Sequence, residues 1–106
     1  MEILKDKTLS EIVGKIVNQI NPTKIYLFGS RARGDHRLDS DYDFVLIYDG
    51  NKSKREVKIE ARRSCRNISA SMDILVLTSD EVKRFHTVAN TLAREITENG
   101  MIVYGR

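Results

Sequence analysis

Residues 25–48, IYLFGSRARGDHRLDSDYDFVLIY, decide the fold. They include most of two apolar segments, over residues 24–30 and 41–48, that are typical of β-strands. The connection between the segments is polar and carries glycine and arginine. Gly29-Ser30 ends the first segment, and a residue without a Cβ lets a ligand approach the backbone closely. The stretch therefore predicts two strands with a ligand-binding turn at the end of the first.

Two aspartates open the second strand. Asp41 and Asp43 are two residues apart, so in a strand both side chains project from the same face. Carboxylates this close repel and raise each other's pKa unless a cation lies between them. A divalent metal explains the pair better than a solvent-facing strand start does, because Mg²⁺ prefers hard oxygen ligands. With the turn at Gly29-Ser30, the pair indicates metal-dependent chemistry on a nucleotide.

A third aspartate lies near the start of the next predicted strand, over residues 71–78. Asp73 holds a position in that strand similar to the position of Asp43 in the preceding one. A charge within an apolar strand costs free energy unless it has a partner. We therefore expect Asp73 to have a partner or a ligand in the folded protein.

The remaining elements are helices and one more strand. An apolar stripe predicts a helix over residues 9–20, with a capping box of Thr8 and Glu11 and an end at Asn21-Pro22. Further along, the pattern predicts a polar loop with room for one helical turn over residues 31–40 and a helix from 53 to about 67. A helical region follows from 80 to about 98, with Ser79 as its cap and a candidate break near Thr87. The last predicted element is a strand over residues 101–104. The order α-β-β-α-β-α-β predicts an α+β fold of α/β type, a mixed sheet with helices packed on it.

Length and composition predict one globular domain over residues 1–106. No apolar run approaches the roughly 20 residues of a membrane span, so we expect no membrane association. The net charge of +3 is too small to identify a nucleic-acid binder. A single cysteine, Cys65, cannot form an internal disulfide, which favours a cytoplasmic location, and its place on an apolar helix face predicts a core residue. His36 and His86 lack metal-ligand spacing and are expected at the surface.

The second long helix is strongly basic. Two interpretations are open: a solvated outer face, which we favour, or a docking face for an acidic partner or RNA. Aromatic residues that would stack on bases do not alternate with the charges, so RNA binding has little support. The seven basic residues between positions 52 and 66 are Lys52, Lys54, Arg55, Lys58, Arg62, Arg63 and Arg66.

Gly29-Ser30, ten further residues and Asp41-x-Asp43 form the pattern G-S-x10-D-x-D. This pattern resembles the signature of the minimal nucleotidyltransferases of the DNA polymerase beta superfamily. The resemblance extends over nearly the whole chain, through GSRARG, SDYDF, SMDIL and the closing ENGMIVYG. It implies a polymerase-beta-like nucleotidyltransferase fold that binds ATP or another nucleoside triphosphate.

The resemblance also implies roles for the site residues. Asp41 and Asp43 would bind two Mg²⁺ ions, and Asp73 would complete the metal site and act as the candidate general base. Gly29 and Ser30 would hold the triphosphate.

Two arginines follow the glycine-serine turn. Arg31 is a plausible phosphate ligand and Arg33 a weaker one, because a guanidinium can bind phosphate oxygens in a bidentate manner. Alternatively, either arginine could pair with Asp35 or Asp39.

The sequence does not identify the molecule that would accept the nucleotidyl group. We expect no room in the chain for an acceptor-binding module, and minimal family members of this size are similar to the antitoxin halves of pairs whose partner is a helical HEPN-domain ribonuclease. That resemblance implies transfer of AMP from ATP to a tyrosine of the toxin. The alternatives are a non-catalytic module that neutralises a partner through the basic helix, and transfer to a small molecule or RNA with the acceptor site shared across an oligomer.

Overall fold

The computed structural model of the protein describes residues 6–105, and residues 1–5 and 106 of the predicted single domain lie outside this range. The elements in chain order are α1 (Lys7–Ile20), β1 (Lys24–Phe28), α2 (Ser30–Arg33), β2 (Tyr42–Ile47), α3 (Lys54–Ser64), β3 (Met72–Leu77), α4 (Ser79–Phe85), α5 (Leu92–Asn99) and β4 (Met101–Tyr104). Among these helices, none is long and apolar enough to cross a membrane.

The four strands form one mixed sheet in the order β3-β2-β1-β4. β1 pairs antiparallel with both β2 and β4, whereas β2 and β3 run parallel. A parallel pair needs a crossover connection, and α3 lies within that connection. The predicted α+β class is confirmed. The observed order α-β-α-β-α-β-α-α-β differs from the predicted one because α2 is an additional short helix and the last helical region is divided in two.

Apolar side chains cover both faces of the central strand β2, whose successive residues point to opposite sides. Phe44 and Leu46 pack in a cluster that includes residues of α1 and α3. Val45 and Ile47 pack on the other face in a cluster that includes residues of α5. All four side chains are buried, as expected for a strand inside the sheet with helices on both faces. Cys65 is also buried in the first cluster, as predicted, and this burial raises the pKa of its thiol.

Asp6 caps α1, so the predicted capping box of Thr8 and Glu11 is wrong. The Asp6 carboxylate accepts a hydrogen bond from the backbone N–H of Leu9 at 2.9 Å. A carboxylate at the N-terminus of a helix is favoured by the helix dipole. The Tyr42 hydroxyl also donates to Asp6 at 3.0 Å, so a contact with β2 fixes where α1 begins.

The last helical region also differs in detail from its prediction. Thr78, rather than Ser79, caps α4. The candidate break near Thr87 is confirmed, since α4 ends at Phe85 and α5 begins at Leu92.

Two ion pairs show the direction in which α3 lies along β3. Lys54 Nζ, at the start of α3, lies 2.6 Å from the Glu81 carboxylate in α4, which follows β3. Arg62, in the last turn of α3, lies 3.6 Å from Asp73 near the start of β3. The helix therefore runs antiparallel to β3, and its C-terminal turn lies at the edge of the sheet where β2 and β3 begin.

Asp49, two residues after β2, connects separate parts of the chain. Its carboxylate accepts hydrogen bonds from the Ser79 backbone N–H at 2.8 Å, the Ser79 hydroxyl at 2.5 Å and the Thr23 hydroxyl at 3.1 Å. The hydrogen bond from the Ser79 hydroxyl is the main cause that lowers the pKa of Asp49. Because this pKa is lower in the folded protein, Asp49 stabilises the fold above its unfolded-state pKa. The contribution is lost as pH falls through the folded-state pKa.

We predict that Asp49→Asn lowers the free energy of unfolding by about 0.5–1 kcal/mol at pH about 7, a small effect because Asp49 is exposed. The difference from the wild type should shrink as pH falls toward about 2.5. Urea unfolding of the variant and the wild type at both pH values measures this difference in the free energy of unfolding. Asp39→Asn is the matched control, because Asp39 is exposed and, among residues 6–105, receives no side-chain hydrogen bond. A loss at Asp49 that does not change with pH would contradict the prediction.

Candidate active site

Gly29 turns the chain out of β1 and into α2. Its φ of 74° and ψ of −155° form a combination that is essentially confined to glycine. A Cβ at this position would lie 2.5 Å from Oδ2 of Asp43. Ser30 is the first residue of α2, so the strand predicted over residues 24–30 ends at Phe28. The turn backbone and the Asp43 carboxylate are therefore in close approach, with no room for a side chain between them.

Three aspartates lie at this edge of the sheet. The parallel register of β2 and β3 places Asp43 beside Asp73, and the antiparallel register of β1 and β2 places Phe28 beside Asp43. Asp41 immediately precedes β2, which begins one residue later than predicted. Asp41 and Asp73 are exposed, whereas Asp43 is half-buried. The three candidate carboxylates and the Gly29 turn thus come from three separate segments of the chain.

The electrostatics of the site centre on Asp43. Burial raises the pKa of Asp43, and the carboxylates of Asp73 and Asp41 raise it further. Ionisation of Asp43 is therefore less favourable in the protein than in water. A cation at this position would relieve both the repulsion and the loss of hydration.

The donor set fits Mg²⁺. Within the part of the chain that the structure describes, no three His, Cys, Asp or Glu side chains are arranged closely enough to enclose a metal ion by themselves. Mg²⁺ does not require such a cage, because it is commonly held by one or two carboxylates together with substrate phosphates and water. Asp43 with its neighbouring aspartates offers hard oxygen ligands, and the Gly29 turn brings backbone without a side chain close to Asp43.

The two arginines of the motif differ in environment. Arg31 lies against the protein: its guanidinium is 3.8 Å from the centre of the Tyr42 ring, and Nε donates to the Ser40 carbonyl at 3.0 Å. Arg33 is exposed and donates to Asp35 at 3.2 Å, which is one of the pairings that the sequence left open.

Comparison with known proteins identifies the family. The sequence profile of the family described as Polymerase beta, Nucleotidyltransferase matches residues 10–106. The chain belongs to this family. The resemblance found in the sequence is confirmed, and the protein is a nucleotidyltransferase.

Solved structures share the fold of this nucleotidyltransferase. A crystal structure of a toxin-antitoxin with AMP-PNP superposes with a TM-score of 0.64 at 18% identity, over 92% of this chain and 73% of that chain. A candidate nucleotidyltransferase from Sulfolobus solfataricus gives 0.64 at 24% identity, over 94% and 79%. The toxin-antitoxin MntA-HepT gives 0.61 at 15% identity, over 93% and 71%. Curated proteins gave no match in a sequence search. At these identities, the similarity establishes the polymerase-beta-like fold.

Arg62 also lies at the candidate site, although no sequence motif indicates a role for it there. Its Nη2 is 3.6 Å from Asp73, and both side chains are more than half exposed. The order of the elements along the chain is enough to predict this contact. A helix that crosses over between two parallel strands ends near the start of the second strand, so the last turn of α3 had to approach Asp73.

The other basic residues of α3 divide into two groups. Lys52 and Lys54 form ion pairs with Glu60 and Glu81. The second group has, among residues 6–105, no carboxylate within 4.0 Å, and its three arginines are exposed whereas its lysine is half-buried. We call this group the basic surface; its members are Arg55, Lys58, Arg63 and Arg66.

We predict that Gly29→Ala lowers the free energy of unfolding by about 1–3 kcal/mol and weakens Mg²⁺ binding, because the new Cβ is strained at this φ and meets the Asp43 carboxylate. Gly14→Ala is the matched control. Gly14 lies inside α1 with open space around its Cβ position, so this variant should be stabilised by about 0.5–1 kcal/mol. Urea unfolding and Mg²⁺ titration measure both variants. Equal effects at the two glycines would refute the assignment of the Gly29 turn.

We predict that Asp43→Asn leaves the metal-free protein as stable as the wild type or raises its Tm by up to about 4 °C, since it removes a disfavoured charge. The same change should abolish the rise in Tm that Mg²⁺ and AMP-PNP together give the wild type. Thermal unfolding with and without these ligands tests both parts. Asp80→Asn is the control, because Asp80 is exposed on α4 and should leave the ligand response intact. An unchanged ligand response in Asp43→Asn would argue against metal binding at Asp43.

Proposed function

We propose that this nucleotidyltransferase moves AMP from ATP onto a hydroxyl of a partner protein, and that the transfer silences a toxin. The observation that supports the reaction best is the close approach of Asp43 to the Gly29 turn, with Asp73 beside it on β3. This arrangement puts carboxylates next to open backbone that has no side chain to exclude a phosphate chain.

Each site residue has a role in the proposed reaction. The backbone N–H groups of Gly29 and Ser30 and the Ser30 hydroxyl bind the triphosphate. Asp41 and Asp43 hold Mg²⁺, and Asp73 completes the metal site. Two Mg²⁺ ions would supply the positive charge that activates the attacking oxygen and stabilises the leaving pyrophosphate.

The proposed chemistry is an in-line displacement at the α-phosphorus. A bond forms between the acceptor oxygen and the α-phosphorus, and the bond to the oxygen that bridges the α- and β-phosphates breaks. Pyrophosphate leaves with the electron pair of the broken bond. Asp73 takes the proton of the acceptor hydroxyl as the general base. Because Asp73 is exposed at the sheet edge, a hydroxyl carried by another molecule can reach it.

The proposed acceptor is a tyrosine of a HEPN-domain toxin. Support comes from the sequence resemblance to antitoxin nucleotidyltransferases and from the shared fold with toxin-antitoxin structures, one of which is described with AMP-PNP. The basic surface of α3 offers a docking face close to Asp73, because α3 ends at that edge of the sheet.

A second candidate function is neutralisation of the partner by contact alone. The basic surface favours it, since its charges have no ion-pair partners among the described residues and Ile59 is exposed between them. Arginines around an exposed apolar side chain are typical of protein interfaces. The two functions differ in whether neutralisation needs the carboxylates.

We predict that incubation with Mg²⁺, ATP and the product of the adjacent gene adds one adenylyl unit, about 329 Da, to the partner, as two-metal chemistry at Asp41 and Asp43 requires. Intact mass spectrometry measures the gain, and fragmentation locates the modified residue. The matched control is the Asp41→Asn/Asp43→Asn double variant, which should lose at least about 100-fold in transfer rate while it keeps its fold.

Three outcomes separate the candidates. Transfer that depends on Asp41 and Asp43 supports the proposed reaction. A tight complex without a mass gain, in which the double variant still neutralises the partner, favours contact alone. Transfer by the double variant at the wild-type rate would exclude the assigned metal ligands.

A further inference from the structure

We propose that Arg31 is a positioning residue that fixes the loop over residues 34–40 and thereby places Asp41, and that it is not a ligand of the substrate phosphates. The inference deepens the proposed function, because it concerns how the metal-binding carboxylates are held. The first observation is burial. The Arg31 side chain is 9% exposed, whereas that of Arg33, two residues later in the same motif, is 57% exposed.

The hydrogen bonds of Arg31 go to the loop backbone. Nε donates to the Ser40 carbonyl at 3.0 Å, and Nη2 donates to the Leu38 carbonyl at 3.2 Å. The Ser40 carbonyl belongs to the peptide group that joins Ser40 to Asp41. Arg31 therefore holds the backbone directly before the first carboxylate of the site.

The loop has few other anchors near Asp41. The Leu38 side chain is fully exposed, so apolar packing does not hold this part of the chain. Ser40 bonds back to Arg37 within the loop, through its backbone N–H at 3.1 Å and its hydroxyl at 2.8 Å, which shapes the loop without attaching it to the rest of the fold. The start of the loop is tied to α2 by the Asp35 N–H, which donates to the Ser30 carbonyl at 3.2 Å, and the Tyr42 N–H after Asp41 donates to the Ser71 carbonyl at 3.0 Å. Between these points, the contacts of Arg31 attach residues 38–40 to the rest of the fold.

The guanidinium is itself fixed from the other side. It lies 3.8 Å from the centre of the Tyr42 ring, and Nη1 lies 3.8 Å from the Asp6 carboxylate. Tyr42 is buried and donates its hydroxyl to Asp6 at 3.0 Å, while Asp6 caps α1. A guanidinium stacked on a ring and bonded along its edge is held in one orientation. A bidentate bond from the Nε–Nη2 edge to a phosphate would require Arg31 to give up its hydrogen bonds to the loop carbonyls.

The test compares metal affinity with nucleotide affinity in Arg31→Ala and Arg31→Lys. Mn²⁺ serves as the probe, and its free concentration is followed by electron paramagnetic resonance with and without AMP-PNP. Removing a partner that orients metal ligands typically costs about 10–100-fold in metal affinity, so we expect Arg31→Ala to weaken Mn²⁺ binding by about tenfold. At saturating metal, the KM for ATP should change by less than about twofold.

The lysine variant and a remote variant serve as controls. Arg31→Lys keeps the charge, but one ammonium cannot reproduce the planar fork that reaches both carbonyls, so it should rescue Mn²⁺ affinity only in part. Arg84→Ala should have the Mn²⁺ affinity of the wild type. Arg84 is exposed on α4, and within residues 6–105 its guanidinium contacts Asp80 and the Phe85 ring and no residue of the site. Amide hydrogen exchange should be faster over residues 35–41 in Arg31→Ala and unchanged in α4. If Arg31→Ala does not fold, Arg31→Lys alone decides the same comparison.

Opposite results would overturn the inference. A KM for ATP raised about tenfold with unchanged Mn²⁺ affinity would make Arg31 a phosphate ligand. Unchanged Mn²⁺ affinity and unchanged amide hydrogen exchange would mean that the loop keeps its conformation without Arg31. Mn²⁺ binding that depends on Arg31 in a protein without transferase activity would uphold the inference and refute the proposed reaction. A wild type that binds no Mn²⁺, with or without AMP-PNP, would refute both.

Discussion

The strand directions decide where the site forms. β2 and β3 are parallel, so Asp43 and Asp73, each the second residue of its strand, lie side by side. β1 is antiparallel to β2, so its C-terminal end and the Gly29 turn reach the same edge of the sheet. A change in either pairing would separate the turn from the carboxylates. The topology of the sheet, rather than any local motif, therefore brings the side-chain-free turn at Gly29 next to paired negative charge.

This convergence has an energetic cost that the fold offsets elsewhere. Burial and then the carboxylates of Asp73 and Asp41 raise the pKa of Asp43, and Gly29 has a backbone conformation that other residues rarely adopt. The β-strands that carry these groups are anchored by buried side chains on both faces of β2. Local strain and repulsion of this kind persist where the surrounding structure is firm, and they are typical of sites that bind a charged ligand.

The sequence predicts what depends on local pattern. Strand alternation and helix periodicity predict the elements, and the family resemblance implies that Asp43 and Asp73 belong to one site, which agrees with their adjacent positions in the sheet. The roles of Asp6 and Arg62 could not be predicted in this way. The Tyr42 hydroxyl bonds to Asp6 across 36 positions of the chain, and Arg62 meets Asp73 only because α3 lies along β3. Such pairs depend on tertiary packing, which a periodic pattern does not encode.

The two arginines of GSRARG show why residue type alone does not assign a role. Arg31 and Arg33 lie in the same short helix, α2, where residues two apart differ in direction by about 200°. They cannot face the same partner. Arg31 faces Tyr42 and the loop before Asp41, so Arg33 must face outward, where its ion pair with exposed Asp35 contributes little stability. Of the two guanidiniums, the one held by the fold is therefore suited to shape the site, and the exposed one remains available to a ligand.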